Sequence, residues 1–246
     1  MSDMPKTITV QQIADTLDHS LLRPDITVKE LIEGCELAKE YRCVSVCVRP
    51  SDLPVVIREL RGSNVLPTTV VAFPHGVATT ESKVFETRDV IEKGAVEVDM
   101  VLNVGRLLSG EYDYVQNDIA AVVEEAHRHN AQLKVIFENY YLNDDLIIKC
   151  CEISKKAGAD FIKTSTGYAG GGATIHDLKL MVKNANGMKV KAAGGVKTLD
   201  AALAVISTGT VRIGTRSSYE ILSDAIKREK EGTLFLSDKG ELDSGY

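Results

Sequence analysis

The sequence predicts an α/β protein folded as a single closed (β/α)8 barrel, a TIM barrel, on three observations. Short β-branched runs alternate with longer stretches whose apolar residues recur at three- and four-residue spacing. About eight such runs fit into 246 residues, a size typical of that barrel. Charged residues interrupt several runs near their C-terminal ends, which is where barrel active sites form. An open doubly wound sheet is the competing architecture. It would usually show fewer strands and a glycine-rich turn after the first one, which is absent here. No Pro/Gly-rich hinge or low-complexity linker divides the chain. Residues 1–246 therefore read as one domain, with 1–14 as an N-terminal extension or helix and 232–246 as a flexible C-terminal tail.

The strands can be taken in order. The segment DTLDHSLL (15–22) is the first, and CVSVCV (43–48) follows with three valines at alternate positions. Next come TTVVAF (68–73), VEVDMVL (96–102) and LKVIFE (133–138), each rich in β-branched or aromatic residues. The last three are ADFIKTS (159–165), MKVKAAGG (188–195) and TVRIGT (210–215), in which small residues or glycine follow the apolar core. Between strands, VQNDIAAVVEEAHRHN (115–130) and NDDLIIKCCEISKKAGA (143–159) have helical apolar spacing, with Asp or Asn near their starts as caps.

Composition excludes several classes. Hydrophobic residues make up 44% and charged residues 26%, as in a soluble globular protein. A chain this long can bury a large core without disulfides or a metal. The net charge of −6 speaks against a nucleic-acid partner, so an anion site must be built locally. The N-terminus lacks the basic start and unbroken apolar core of a secretion signal. No stretch reaches the roughly 18 apolar residues of a membrane span. Five cysteines, an odd number without a CxxC pair, point to reduced thiols and a cytoplasmic location.

Two lysines inside strands carry the chemistry. Burial of Lys163, in FIKTSTG, disfavours its charged form. Lys191 lies in the next strand, KVKAAGG, and a second ammonium nearby would drive Lys163 further towards neutrality. A neutral amine is the nucleophile that Schiff-base chemistry with a carbonyl requires. A lone strand lysine more often snorkels outward or meets a carboxylate; two on successive strands shift the balance towards function. Asp99, in VEVDMVLN, is a proton-handling carboxylate at the same mouth or a salt-bridge partner that neutralises a lysine. Glu138 reads as structural, holding a lysine or an adjacent loop.

Glycines after the late strands suggest a phosphate cradle of backbone amides: Gly167, Gly194 with Gly195, and Gly214. Any one of these clusters could simply serve a tight turn. Neither GxxxxGK[ST] nor GxGxxG after a strand occurs, so nucleotide hydrolysis and dinucleotide binding are unsupported. His19 and His75 have no second ligand at metal spacing, and His127 and His129 suit a solvated helix end. Ser217 and Ser218 lack the GxSxG elbow of a serine nucleophile.

In this order the motifs LDHSLLRP (17–24), VVAFPHG (70–76), EVDMVLNVG (97–105), KVIFEN (134–139), FIKTSTG (161–167), KAAGGVKT (191–198) and RIGT (212–215) resemble the deoxyribose-phosphate aldolase family from about residue 15 to residue 218. The resemblance implies a (β/α)8 barrel without metal or cofactor. It also implies reversible cleavage of 2-deoxy-D-ribose 5-phosphate, a small-molecule sugar phosphate, to D-glyceraldehyde 3-phosphate and acetaldehyde. Lys163 matches the Schiff-base lysine, Lys191 the second active-site lysine and Asp99 the proton relay. Gly167, Gly194 and Gly195 match backbone phosphate contacts, and Asp18 and Ser20 the polar pair near the mouth. Tyr246 matches a tail tyrosine that assists proton transfer in some members. Tyr168 stands where some members carry a phosphate-holding lysine, and Arg23 and Lys197 exchange the more usual lysine and arginine. In RIGTRSS, either Arg216 replaces a phosphate-contacting serine or Ser217 takes that place. Two alternatives remain: a lysine-dependent barrel aldolase for another acceptor, and a non-catalytic sugar-phosphate-binding barrel, which would gain nothing from a neutral lysine. A homodimer or higher homo-oligomer is compatible with the sequence.

Overall fold

In a computed structural model, which describes residues 6–243, every expected strand is present. In chain order they are β1 (Leu17–Leu21), β2 (Ser45–Val48), β3 (Leu66–Val71), β4 (Glu97–Val101), β5 (Gln132–Ile136), β6 (Phe161–Lys163), β7 (Lys189–Ala193) and β8 (Arg212–Thr215). All pair in parallel with their sequence neighbours, and β8 closes on β1 with Asp18 opposite Gly214. The open sheet is thereby excluded. The helices are α1 (Val10–Ala14), α2 (Val28–Glu40), α3 (Leu53–Glu59), α4 (Thr80–Glu92), α5 (Val104–Leu108), α6 (Tyr112–Arg128), α7 (Asp144–Ala157), α8 (Ile175–Asn184), α9 (Leu199–Ser207) and α10 (Ser218–Lys230).

Local chemistry explains where helices begin. Thr27 and Glu30 form a reciprocal capping box at α2, and Asn143 accepts from the Leu146 N–H at α7, as its sequence suggested. Helix α6 starts at Tyr112, a turn before the expected 115, because its first turn is mostly exposed and only Val115 begins the buried face. Apolar periodicity reports the face of a helix, not its full length.

Alternation along the strands divides the interior in two. On β1, Asp18 and Ser20 face the barrel axis, while Leu17, His19 and Leu21 face the helices. The main apolar core lies between the strands' outer faces and the helices, and includes Leu17, Val46, Val98, Leu133 and Ile213. Inside the barrel, Asp18, Glu97, Asp99, Lys134, Lys163, Lys191 and Arg212 are all buried. The Phe161 ring closes this polar interior on the side nearer the strand starts, with Arg212 and Lys134 5.3 and 5.5 Å from its centroid.

The two ends of the described chain meet. Thr7 bridges Phe235 in antiparallel fashion, and the Leu236 N–H donates to the Lys6 carbonyl at 2.8 Å. Leu236 and Leu242 then pack on the core, and the Asp243 N–H reaches the Gly195 carbonyl at 3.0 Å. Tyr246 lies outside the described residues.

Candidate active site

Strand register brings the three expected residues together. Lys163 lies opposite Lys191 in the β6–β7 pair, and Asp99 approaches from β4 across the barrel. One oxygen of Asp99, Oδ2, accepts from Lys163 Nζ at 2.8 Å and from Lys191 Nζ at 2.7 Å. The salt-bridge reading of Asp99 is thus observed, since it pairs with both lysines.

A residue that the sequence reading passed over completes the group. Lys134, fully buried on β5, lies 2.8 Å from Asp99 Oδ1 and 2.6 Å from Glu97 Oε2. Glu97 in turn binds Arg212 through two bonds of 2.7 and 3.1 Å. Lys134 interrupts an apolar run as plainly as Lys163 does, but it is the second residue of LKVIFE, at the start of the run, and only strand pairing shows that it lies directly opposite Asp99. On the other side, Asp18 binds Lys191 and accepts from the Ser45 hydroxyl at 2.7 Å. Asp18 is thus fully buried beneath the mouth, and Ser20 lies nearer the surface with its hydroxyl 3.3 Å from the Asp18 carbonyl.

In this network four basic side chains, Lys134, Lys163, Lys191 and Arg212, meet three carboxylates, Asp18, Glu97 and Asp99. An uncompensated charge in a buried network is costly, so the balanced state has one base neutral. The contacts single out which. Lys134 and Lys191 each touch two carboxylates and Arg212 holds Glu97 with two bonds, but Lys163 touches a single oxygen that it shares with Lys191. Burial lowers the pKa of Lys163; Asp99 opposes that and Lys191 adds to it, leaving the amine below its ordinary value. Burial works against the Lys191 cation as well, but Asp18 and Asp99 outweigh it and hold Lys191 protonated well above the usual lysine range. Burial alone would raise the Asp99 carboxyl, yet Lys134, Lys163 and Lys191 bring it well below the ordinary carboxylate value.

Glu138 does not join the lysines. It accepts from the Thr166 N–H at 3.1 Å and from the Thr166 hydroxyl, fixing the loop after β6, which is the loop-holding half of its expected role. Burial raises its pKa despite those bonds. The side-chain oxygens of Asp18 and Asp99 and the Cys47 sulfur lie within 4.8 Å of one another. Both carboxylates are already bound to ammonium groups, so a metal there would have to displace lysines.

A cavity of about 630 Å³ opens beside the network. Ser20, Gly194, Gly195, Arg216 and Ser217 line it, together with Lys197 and Gly214. Both candidates for the phosphate-contacting position, Arg216 and Ser217, thus face the same space. Lys163 and Gly167 are not among its walls, but Gly214 links it to the network: a Cβ placed there would lie 3.3 Å from Lys191 Cε. Gly194 and Gly195 take φ values of 82° and 86°, which favour glycine. Tyr168 stacks edge-on against Phe73 at 5.4 Å, and Lys197 pairs with Asp243 at 2.8 Å on the rim.

Comparison with known proteins agrees with this geometry. A family model described as DeoC/LacD family aldolase matches residues 11–217. A deoxyribose-phosphate aldolase from Clostridium novyi is 49% identical over 217 residues, covering 88% of this chain and 97% of that protein. One from Treponema denticola is 46% identical over 208 residues, covering 84% and 96%. A solved structure described as a tetrameric deoxyribose phosphate aldolase from Aeropyrum pernix superposes with a TM-score of 0.82 at 28% identity, covering 88% of this chain and 92% of that one.

Proposed function

The chain belongs to the DeoC/LacD family of aldolases, and from that premise we propose that it reversibly cleaves 2-deoxy-D-ribose 5-phosphate to D-glyceraldehyde 3-phosphate and acetaldehyde through a Schiff base on Lys163. The surplus of one base over the buried carboxylates carries this reading, because it leaves Lys163 as the amine most easily deprotonated.

The neutral amine of Lys163 attacks C1 of the open-chain sugar, and loss of water gives an iminium ion. As the proton leaves the C3 hydroxyl, the C2–C3 electron pair flows into the iminium to form an enamine, and C3 departs as the aldehyde of glyceraldehyde 3-phosphate. Protonation at C2 and hydrolysis then release acetaldehyde and regenerate the amine. Asp99, acting through a water and with Lys191, moves the protons. Gly194, Gly195 and Ser217 supply the phosphate contacts from the cavity wall, where Arg216 adds a guanidinium, and Gly167 is the proposed contact from the loop after β6. Tyr246 is the tail group proposed to assist protonation.

The partners are small molecules and neither nucleic acid nor membrane. No described helix is long and apolar enough to cross a membrane. The five unpaired, buried thiols support a cytoplasmic setting, and the tetramer described for the Aeropyrum pernix relative supports a homo-oligomer. Borohydride in the presence of acetaldehyde, followed by mass mapping, should place the reduced adduct on Lys163. Labelling confined to surface lysines would sink the mechanism.

A further inference from the structure

The cavity beside the network is larger than the phosphate loops require, and its second half lies outside the barrel wall. There it runs between the outer face of β1 and helices α2 and α10. Leu21, Ile26 and Leu37 give this arm apolar walls, and the carboxylates of Glu33 and Glu220 stand on its rim. The space exists because Gly34 lacks a side chain: a Cβ there would come within 2.7 Å of Leu21 Cδ1 and 3.3 Å of His19 Nε2.

His19 gives the arm a polar contact. Its ring is 5% exposed and belongs to the cavity wall. Nδ1 is engaged by the Ser218 hydroxyl at 2.9 Å. Nε2 has no hydrogen-bond partner among the described residues. Burial brings the imidazole pKa down to about 4, although Asp18 opposes this, so the ring is neutral at ordinary pH. A ring nitrogen that meets no described protein group and belongs to the cavity wall is a polar contact open to a ligand.

We propose that this cavity binds a nucleoside monophosphate whose base carries an exocyclic amine. The phosphate would sit on the amides of Gly194 and Gly195 near Ser217 and Arg216, and the base would enter the arm with its edge against His19 Nε2. The arm's apolar walls suit an uncharged planar ring. Its carboxylate rim accepts from an amine and repels an anionic or carbonyl-edged group. The whole cavity, at about 630 Å³, falls in the range that encloses a molecule of that size. The proposal rests on reading Gly194 and Gly195 as the phosphate cradle, and its test needs no turnover, so failure of the aldolase reading is seen separately.

The test is calorimetric titration with dAMP, dTMP and inorganic phosphate. The expected result is dAMP binding at least about 10-fold more tightly than either of the others. Leu37→Trp, which fills the arm, should bring the dAMP affinity down to that of phosphate while leaving the phosphate affinity in place. Ile26→Trp provides the same block from the loop before α2, should the helix variant fail to accumulate. Equal binding of dAMP and phosphate, or dAMP affinity unmoved by a folded arm-filling variant, would overturn the proposal.

Discussion

Lys163 and Lys191 share one oxygen of Asp99, and that shared atom makes their protonation interdependent. Replacing Lys191 with Met removes a cation from beside Lys163 and frees the negative charge of Asp18 and Asp99 to hold the Lys163 proton. Both changes raise the Lys163 pKa. Because the reactive form is the neutral amine, the acidic limb of kcat/KM should move to higher pH, with kcat near neutrality falling about 10²-fold or more. A pH–rate profile checks this, and an unmoved limb would show that the pair is uncoupled. Asp99→Asn acts oppositely on the amine, since it removes the charge that favours the ammonium. Borohydride should still trap acetaldehyde on Lys163, while turnover falls by roughly 10²–10⁴ because the proposed proton relay is gone. Arg216→Ser should raise KM for the phosphorylated sugar about 10-fold and leave unphosphorylated 2-deoxyribose nearly unaffected, because the reacting carbons are remote from that guanidinium. Charged residues within apolar runs were visible in the sequence, which is why Lys163, Lys191 and Asp99 could be named from it. Lys134 and Arg212 show the same signal, but their part as counter-charges in one network depends on register across six strands.

Among the elements, α4 shows where periodicity misleads. Lys83 is fully buried on it and Phe85 is 69% exposed, the reverse of what polarity dictates. The inversion has a local cause. Lys83 Nζ binds Asp118 on α6 at 2.6 Å and the Val101 carbonyl at the end of β4 at 3.1 Å, so a buried pair fastens two helices to the sheet. Asp118→Ala would strand that ammonium. The loss should be about 3–5 kcal/mol in urea denaturation, with kcat little changed in the folded fraction, because the pair lies outside the barrel interior. Double replacement by well-packed apolar residues should recover most of the loss. Strand order and helix caps were legible because each is written within a few consecutive residues. This pair was not, since its partners are 35 residues apart and neither carries a mark of burial.

For the whole molecule, the buried titratable groups set the response to acid. His19 has a folded pKa of about 4, below its unfolded value of about 6.5, so the unfolded chain binds more protons between those limits. Stability is therefore lost as pH falls through that window, by about 3 kcal/mol at most. Glu138, raised by burial, works in the opposite sense near the lower end of it. Asp18 and Asp99, held below the usual carboxylate range by their lysines, contribute stability that is full above about pH 4 and disappears as pH falls further. Scanning calorimetry should show the Tm falling in two stages. In His19→Gln the decline between 6.5 and 4 should flatten while the steeper acid stage remains; an unchanged upper stage would rule His19 out as its source.

The junction of Lys6 and Thr7 with Phe235 and Leu236 has a practical side for anyone handling the gene. The first described residues clasp the segment that goes on to touch Gly195 and Lys197, so an affinity tag, a linker or a truncation at the N-terminus is not a neutral choice. Whatever is fused there is coupled, through one bridge and a few residues of tail, to the rim of the cavity. Versions of the protein differing only at their first residues should be compared by kinetics before their rates are treated as interchangeable.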